Sequence, residues 1–128
     1  MSSITRSKPT QLVDVTGLTE ELRKFAADRN WDQFHSPKNL VMALTGEIGE
    51  LSEIFQWMTE AESEGAALNP ETAQKVRDEL ADVLLYLVRL SSILNVDLNE
   101  AVQQKILLNG SKYPVAKAHG SRKKYNEI

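Results

Sequence analysis

Two stretches constrain this chain more than any other feature: Thr45–Trp57, TGEIGELSEIFQW, and Asp78–Leu90, DELADVLLYLVRL. In the first region Leu40, Leu44, Ile48, Leu51, Phe55 and Met58 recur at steps of three and four, the apolar stripe of a long amphipathic helix. Glu47 and Glu50 border that stripe. In the second, the run from Leu80 to Leu94 is apolar almost all round, as expected of a helix enclosed by others, yet Glu79 and Asp82 stand in or beside it. The pairs read E-x-x-E and E-x-x-D, and a separation of three puts both carboxylates of a pair on one helix face. A buried carboxylate needs a positive partner. Arg77 and Arg89 alone lie near the second pair, and no cation occurs between Val41 and Met58, so a divalent metal is the economical partner. The bland alternative is four surface acids on two amphipathic helices.

At 128 residues, 41% hydrophobic and 26% charged, the chain fits one globular domain with a single core. Cysteine is absent, which excludes disulfides and thiolate metal sites. No signal peptide is expected, and no apolar run approaches the ~20 residues needed to cross a bilayer, so the chain reads as cytoplasmic with no membrane partner. The net charge of −3 conceals a split. Met1–Gln104 holds 9 Lys/Arg against 17 Asp/Glu, whereas Lys105–Ile128 holds 6 against 1. An acidic body that can hold cations, followed by a basic end that can meet phosphate, suits a metal-bound nucleotide better than a nucleic-acid polymer. A solvated basic tail is the other reading.

In chain order, residues 1–17 read as a flexible leader, 18–112 as a helical domain and 113–128 as a basic tail. Thr19 is a candidate cap for a first helix to about Asn30, with Leu18, Leu22, Phe25 and Ala26 inward. The loop WDQFHS, Trp31–Ser36, carries two aromatics and a histidine; Trp31 and Phe34 either plug the core or face a flat ligand. Ser36-Pro37 starts a second helix expected to run to about Glu62. Gly46 and Gly49 flank Glu47 in it, which suggests close approach by a helix or ligand. Asn69-Pro70 opens a third helix to about Leu94, and Asp97 with Glu100 forms a capping box for a fourth to about Asn109, its inner face Leu98, Ala101, Val102, Ile106 and Leu108. These elements predict an all-α four-helix bundle. Its third helix is too apolar for three neighbours to cover, which predicts a symmetric oligomer.

Carboxylates converging from two helices make a hard oxygen site suited to Mg²⁺, with Mn²⁺ as substitute. Mg²⁺ is commonly shared between protein carboxylates and substrate phosphates, so the site points to phosphoryl chemistry. A di-iron bundle would want Glu-x-x-His on two helices, and the only histidines, His35 and His119, fall outside the helices.

At these residues the chain resembles the MazG-like all-α nucleoside triphosphate pyrophosphohydrolases, most closely the dCTP pyrophosphatase branch. The likeness covers nearly everything from Leu18 to Tyr125, through RNWDQFHSPKNLVMALTGEIGELSEIFQW, DELADVLLYLVRL, VDLNEAV, KYP and SRKKY. It implies cleavage between the α- and β-phosphates, dCTP going to dCMP and diphosphate in nucleotide-pool sanitation, or the same chemistry on another substrate such as dUTP or a damaged triphosphate. Glu47, Glu50, Glu79 and Asp82 would be the Mg²⁺ ligands and the catalytic acids. By the same resemblance Trp31, His35 and Trp57 would line the base pocket, Tyr86 would contact the sugar, and Lys105 and Asn109 would bind phosphate. Arg122, Lys123, Lys124 and Tyr125 would close over the triphosphate. Leu22 departs from the histidine of animal members of the branch, which leaves the preference among pyrimidine nucleotides open. The family implies a homodimer or a dimer-of-dimers tetramer with sites between subunits. From another class, a non-catalytic helical oligomerisation module would keep the fold without need of all four acids.

Overall fold

The computed structural model describes residues 11–128, and its regular structure there is entirely helical. Six α-helices appear among the described residues: α1 (Thr16–Asp28), α2 (Pro37–Phe55), α3 (Glu60–Glu64), α4 (Ala73–Ile93), α5 (Leu98–Lys112) and α6 (Val115–Ala118). Two 3₁₀ turns, Asp32–Phe34 and Tyr125–Glu127, complete the order. The leader expected over 1–17 lies outside the described residues as far as residue 10, and helix begins at Thr16.

This is not the four-helix bundle expected from the sequence. Six helices form among the described residues, and four of them, α1, α2, α4 and α5, are long at 13, 19, 21 and 15 residues. One cause lies at Thr59. Its hydroxyl accepts from the Glu62 N–H at 3.0 Å and the Glu62 carboxylate accepts from the Thr59 N–H at 2.8 Å. That capping box starts α3 afresh and ends the helix expected to reach Glu62 at Phe55. A second cause lies in how the chain divides. Val15–Val96 forms one compact unit, containing α1 to α4, and Asp97–Ile128 joins residues 11–14 in another. Within the first unit α4 packs chiefly on α2 and secondarily on α1.

Local chemistry sets the other ends. Ser36 caps α2, its Oγ accepting from the Asn39 N–H at 3.1 Å, with Pro37 at the first position. Asn69-Pro70 makes a turn, not a helix start: Asn69 Oδ1 accepts from the Glu71 N–H at 2.9 Å, and α4 begins only at Ala73. Asn95, at φ 56°, closes the C-terminal end of α4 in the left-handed region that asparagine tolerates. Asp97 caps α5 through the Glu100 N–H at 3.0 Å, while the Glu100 carboxylate accepts from Gln104 Nε2 instead of completing a box. Helix α5 runs three residues beyond the expected Asn109, through Gly110. Thr16, not Thr19, opens α1, and Val15 precedes it with no side-chain cap.

The buried apolar set is small: Ala26, Leu40, Ala66, Val76 and Val88 among the described residues. Leu40 and Val88 tie α2 to α4 in the first unit. Ile48, placed inward by periodicity, is 49% exposed. Leu80, Leu84, Leu87 and Leu94, expected inside an enclosed helix, are 40–54% exposed and share one face of α4. Ile106 and Leu108 on α5 are exposed as well. A Cβ at Gly46 or Gly49 would meet nothing within 4 Å, so no helix among the described residues makes the close approach expected there. No helix among the described residues is long and apolar enough to cross a membrane.

Candidate functional site

The α2–α4 contact sets two acidic faces against each other. Glu47 and Glu50, one turn apart on α2, meet Glu79 of α4, and one carboxylate oxygen from each lies within 4.8 Å of the other two. Asp82, one turn beyond Glu79, stands outside that trio, and its charge acts on both Glu47 and Glu79. Neither expected counter-ion answers them. Arg77 forms no ion pair with the four acids, and Arg89 turns to other partners.

The cluster is strained electrostatically. Burial first, then hydrogen bonding with Glu50 and Glu79, then the charges of Glu50 and Asp82, push the Glu47 carboxyl up from 4.5 to about 7. Burial chiefly raises Glu79 too, against an opposing hydrogen bond from Glu47. One oxygen of each, Glu47 Oε2 and Glu79 Oε2, is buried without a hydrogen-bond partner. An orphaned carboxylate oxygen is costly, and two on residues of one acidic group fit a cation. The donor set is all oxygen, and its atoms lie within 4.8 Å of one another, near enough to share one hard cation. The residues present therefore suit Mg²⁺ or Mn²⁺.

Beside the acids, and reaching Asp82, lies a cavity of ≈ 160 Å³. Its walls are mainly apolar and aromatic: Leu22 and Phe25 from α1, Trp31, Leu40 from α2, and Leu85 and Tyr86 from α4. Trp31 stacks edge-on to Phe25 at 5.7 Å between centroids and to His35 at 6.3 Å. The loop thus supplies a cavity wall through Trp31, while Phe34 is 57% exposed and plugs nothing. The polar side is His35, Asp82 and Arg89.

Arg89, near the second acidic pair in sequence, is the functional residue whose role the sequence reading missed. It is buried, 6% exposed, and its Nε donates to His35 Nδ1 at 3.0 Å while its Nη2 donates to Asp32 Oδ1 at 2.7 Å. Burial, and then the guanidinium charge, hold the His35 imidazole below its usual pKa against the opposing pull of Asp32. The signal was a cation inside the apolar run LVRL, which needs an acceptor somewhere, but its partners are 54 and 57 residues away.

Of the remaining sequence-derived candidates, Trp57 belongs to the same unit as the acids, and the others belong to the unit that contains Asp97–Ile128. Trp57, in the turn after α2, is 89% exposed and does not line the cavity. Lys105 and Asn109 are one turn apart on α5. Arg122, Lys123 and Lys124 are exposed, and Tyr125 meets Tyr113 edge-on at 6.3 Å with Lys112 Nζ 4.6 Å from its ring centre.

With this geometry in view, comparison with known proteins is direct. Residues 43–128, which contain both acidic pairs, match the MazG-like family. This chain belongs to the MazG-like family. Among MazG-like relatives, it is similar to dCTP pyrophosphatase 1 of Rattus norvegicus, 46% identical over 113 residues, which are 85% of this chain and 66% of that protein. It is 44% identical over 122 residues to dCTP pyrophosphatase 1 of Bos taurus, covering 95% of this chain and 70% of that one. The chain thus spans about two thirds of the length of these relatives. Among solved structures it resembles a pyrophosphatase from Archaeoglobus fulgidus DSM 4304, with a TM-score of 0.72 and 36% identity over 84% of this chain and 99% of the other.

Proposed function

We propose that this MazG-like chain is a Mg²⁺-dependent nucleoside triphosphate pyrophosphohydrolase whose preferred reaction is dCTP + H₂O → dCMP + diphosphate. The observation that carries the reading is the pair of buried, unpartnered oxygens on Glu47 and Glu79, within a carboxylate trio that adjoins an aromatic cavity at Asp82. Similarity to relatives named dCTP pyrophosphatase 1 supports dCTP as the substrate. Glu47, Glu50 and Glu79 would hold the cation, with Asp82 adding charge from the cavity side. When bound, a divalent cation neutralises triphosphate charge and activates water for attack at phosphorus.

The chain's own residues do the rest. Trp31 and Phe25 offer faces for a base, and Tyr86, one turn beyond Asp82, sits where a sugar would join base to phosphates. The apolar walls keep water from the base while the acidic side remains polar. Lys105, Asn109, Arg122, Lys124 and Tyr125 bind phosphate in this reading. A second chain covers the exposed leucine face of α4, giving a homodimer or a pair of dimers. Leu84→Asp should then shift the species seen by analytical ultracentrifugation to a smaller one, and an unchanged mass would remove α4 from the interface.

A panel of deoxynucleoside and modified triphosphates, assayed with Mg²⁺ for released diphosphate, tests the reaction. dCTP should rank first. Ranking dCTP among the poorest would transfer the same chemistry to dUTP or a damaged nucleotide, and no release from any triphosphate would leave a non-catalytic helical module.

A further inference from the structure

The acid cluster does not use Arg89, and the reaction proposed above gives it no task. Yet burying a guanidinium in a small core is costly, and this one is spent on two hydrogen bonds at the cavity's polar side. Arginine is donor-only and stays charged, so the contact at 3.0 Å requires a lone pair on His35 Nδ1. A neutral imidazole with that lone pair carries its proton on Nε2. Nε2 has no hydrogen-bond partner among the described residues, and His35 lines the cavity. Asp32, from the 3₁₀ turn beside Trp31, holds the other end of the guanidinium at 2.7 Å and keeps it from swinging away.

We infer that Arg89 is a positioning residue: anchored by Asp32, it fixes His35 as a neutral Nε2–H donor, so that the cavity selects nucleotides whose base edge offers a hydrogen-bond acceptor. This rests on the nucleotide reading of the cavity, though the tautomer itself does not. The charged groups around the ring are Arg89 from α4 and Asp32 from the turn, with Asp82 as the acid of the cavity wall. A pyrimidine presenting O2 and an unprotonated N3 meets the requirement. A protonated His35 would offer two donors and repel Arg89. An Nδ1–H tautomer would set two donors against each other and turn a lone pair toward the ligand.

The first arm of the test is ¹⁵N NMR of the ligand-free chain. His35 and His119 are the only imidazoles, and His119→Gln leaves His35 alone. At pH 7.5 the spectrum should show a protonated Nε2 and an unprotonated Nδ1. Arg89→Gln should yield mixed tautomers and a higher His35 pKa. Asp32→Asn, altering a side chain that is 62% exposed, should move the spectrum the same way without threatening the fold. The second arm is kinetic. Arg89→Gln should raise KM for dCTP by ~10-fold, the worth of one charge-assisted contact, with a smaller effect on kcat. In a His35→Ala background Arg89→Gln should raise KM no further, which a merely structural arginine would not obey. An Nδ1–H tautomer in the unmutated chain, or an identical spectrum in both variants, overturns the inference; so does additivity with His35→Ala. Should the chain hydrolyse no triphosphate, the nucleotide reading fails while the NMR arm still decides the tautomer.

Discussion

Two charged groups share α4 and are built on opposite principles. Around Arg89 every charge has its complement: guanidinium, imidazole lone pair and carboxylate meet at 2.7–3.0 Å. Nearly three turns toward the N-terminus, Glu79 faces Glu47 and Glu50 with like charge against like charge and no ion-pair partner among the described residues. A satisfied group can be rigid before anything binds. An unsatisfied one stores its binding potential in its own repulsion, which a cation relieves. The first arrangement shapes a site, and the second waits for a ligand.

The contrast is most exposed to substitution at the acids. Glu50→Gln or Glu79→Gln should lower kcat/KM by more than the ~100-fold typical of losing a residue that merely orients a metal ligand. Circular dichroism should show the helical content unchanged. Retained turnover with normal helicity would mean that the acids are surface groups.

Next in size is the response to pH. The Glu47 carboxyl rises on folding from 4.5 to about 7, so folding takes up protons there. That group favours the fold fully below about 4.5, and the advantage is lost as pH rises through about 7. His35 acts in the opposite sense: its lowered pKa favours the fold above the ordinary imidazole value of 6.5 and withdraws that support as pH falls. Comparison with Glu47→Gln isolates the first effect. Without metal, the unmutated chain should lose melting temperature relative to Glu47→Gln between pH 5 and pH 8, and Mg²⁺ should restore it most at pH 8. A parallel pair of melting curves would show that Glu47 carries no such strain.

The smallest effect belongs to the satisfied side. Asp32→Asn should cost less than ~1 kcal/mol in urea unfolding, because the Asp32 carboxylate is largely in solvent. A cost several times larger would mean that the Arg89 pair is a main prop of the fold, in addition to shaping the cavity.

How far the sequence revealed these regions follows from the range of the interactions. Glu47, Glu50 and Glu79 were legible because each pair is a local helix spacing and the apolar stripes fix which faces meet. The start of α2 was legible because Ser36 and Pro37 act within one turn. The break at Thr59 was missed although T-E-A-E spells a capping box, since the apolar period continues through Met58 and hides it. The role of Arg89 was not legible because its partners are chosen by packing across more than fifty residues, which no local spacing encodes. The third helix was read as too apolar for this chain's own helices to cover, and Leu80, Leu84 and Leu87 of α4 are 40–54% exposed.

Whether Glu47, Glu50 and Glu79 share one divalent cation is tested most directly by titrating Mn²⁺ into the metal-free chain, with free Mn²⁺ followed by electron paramagnetic resonance. At pH 7.5 the unmutated chain should hold the ion in a site that Mg²⁺ displaces, and Glu50→Gln should weaken it by at least ~10-fold. Equal affinity in the two proteins, or no saturable binding in either, would contradict the shared site.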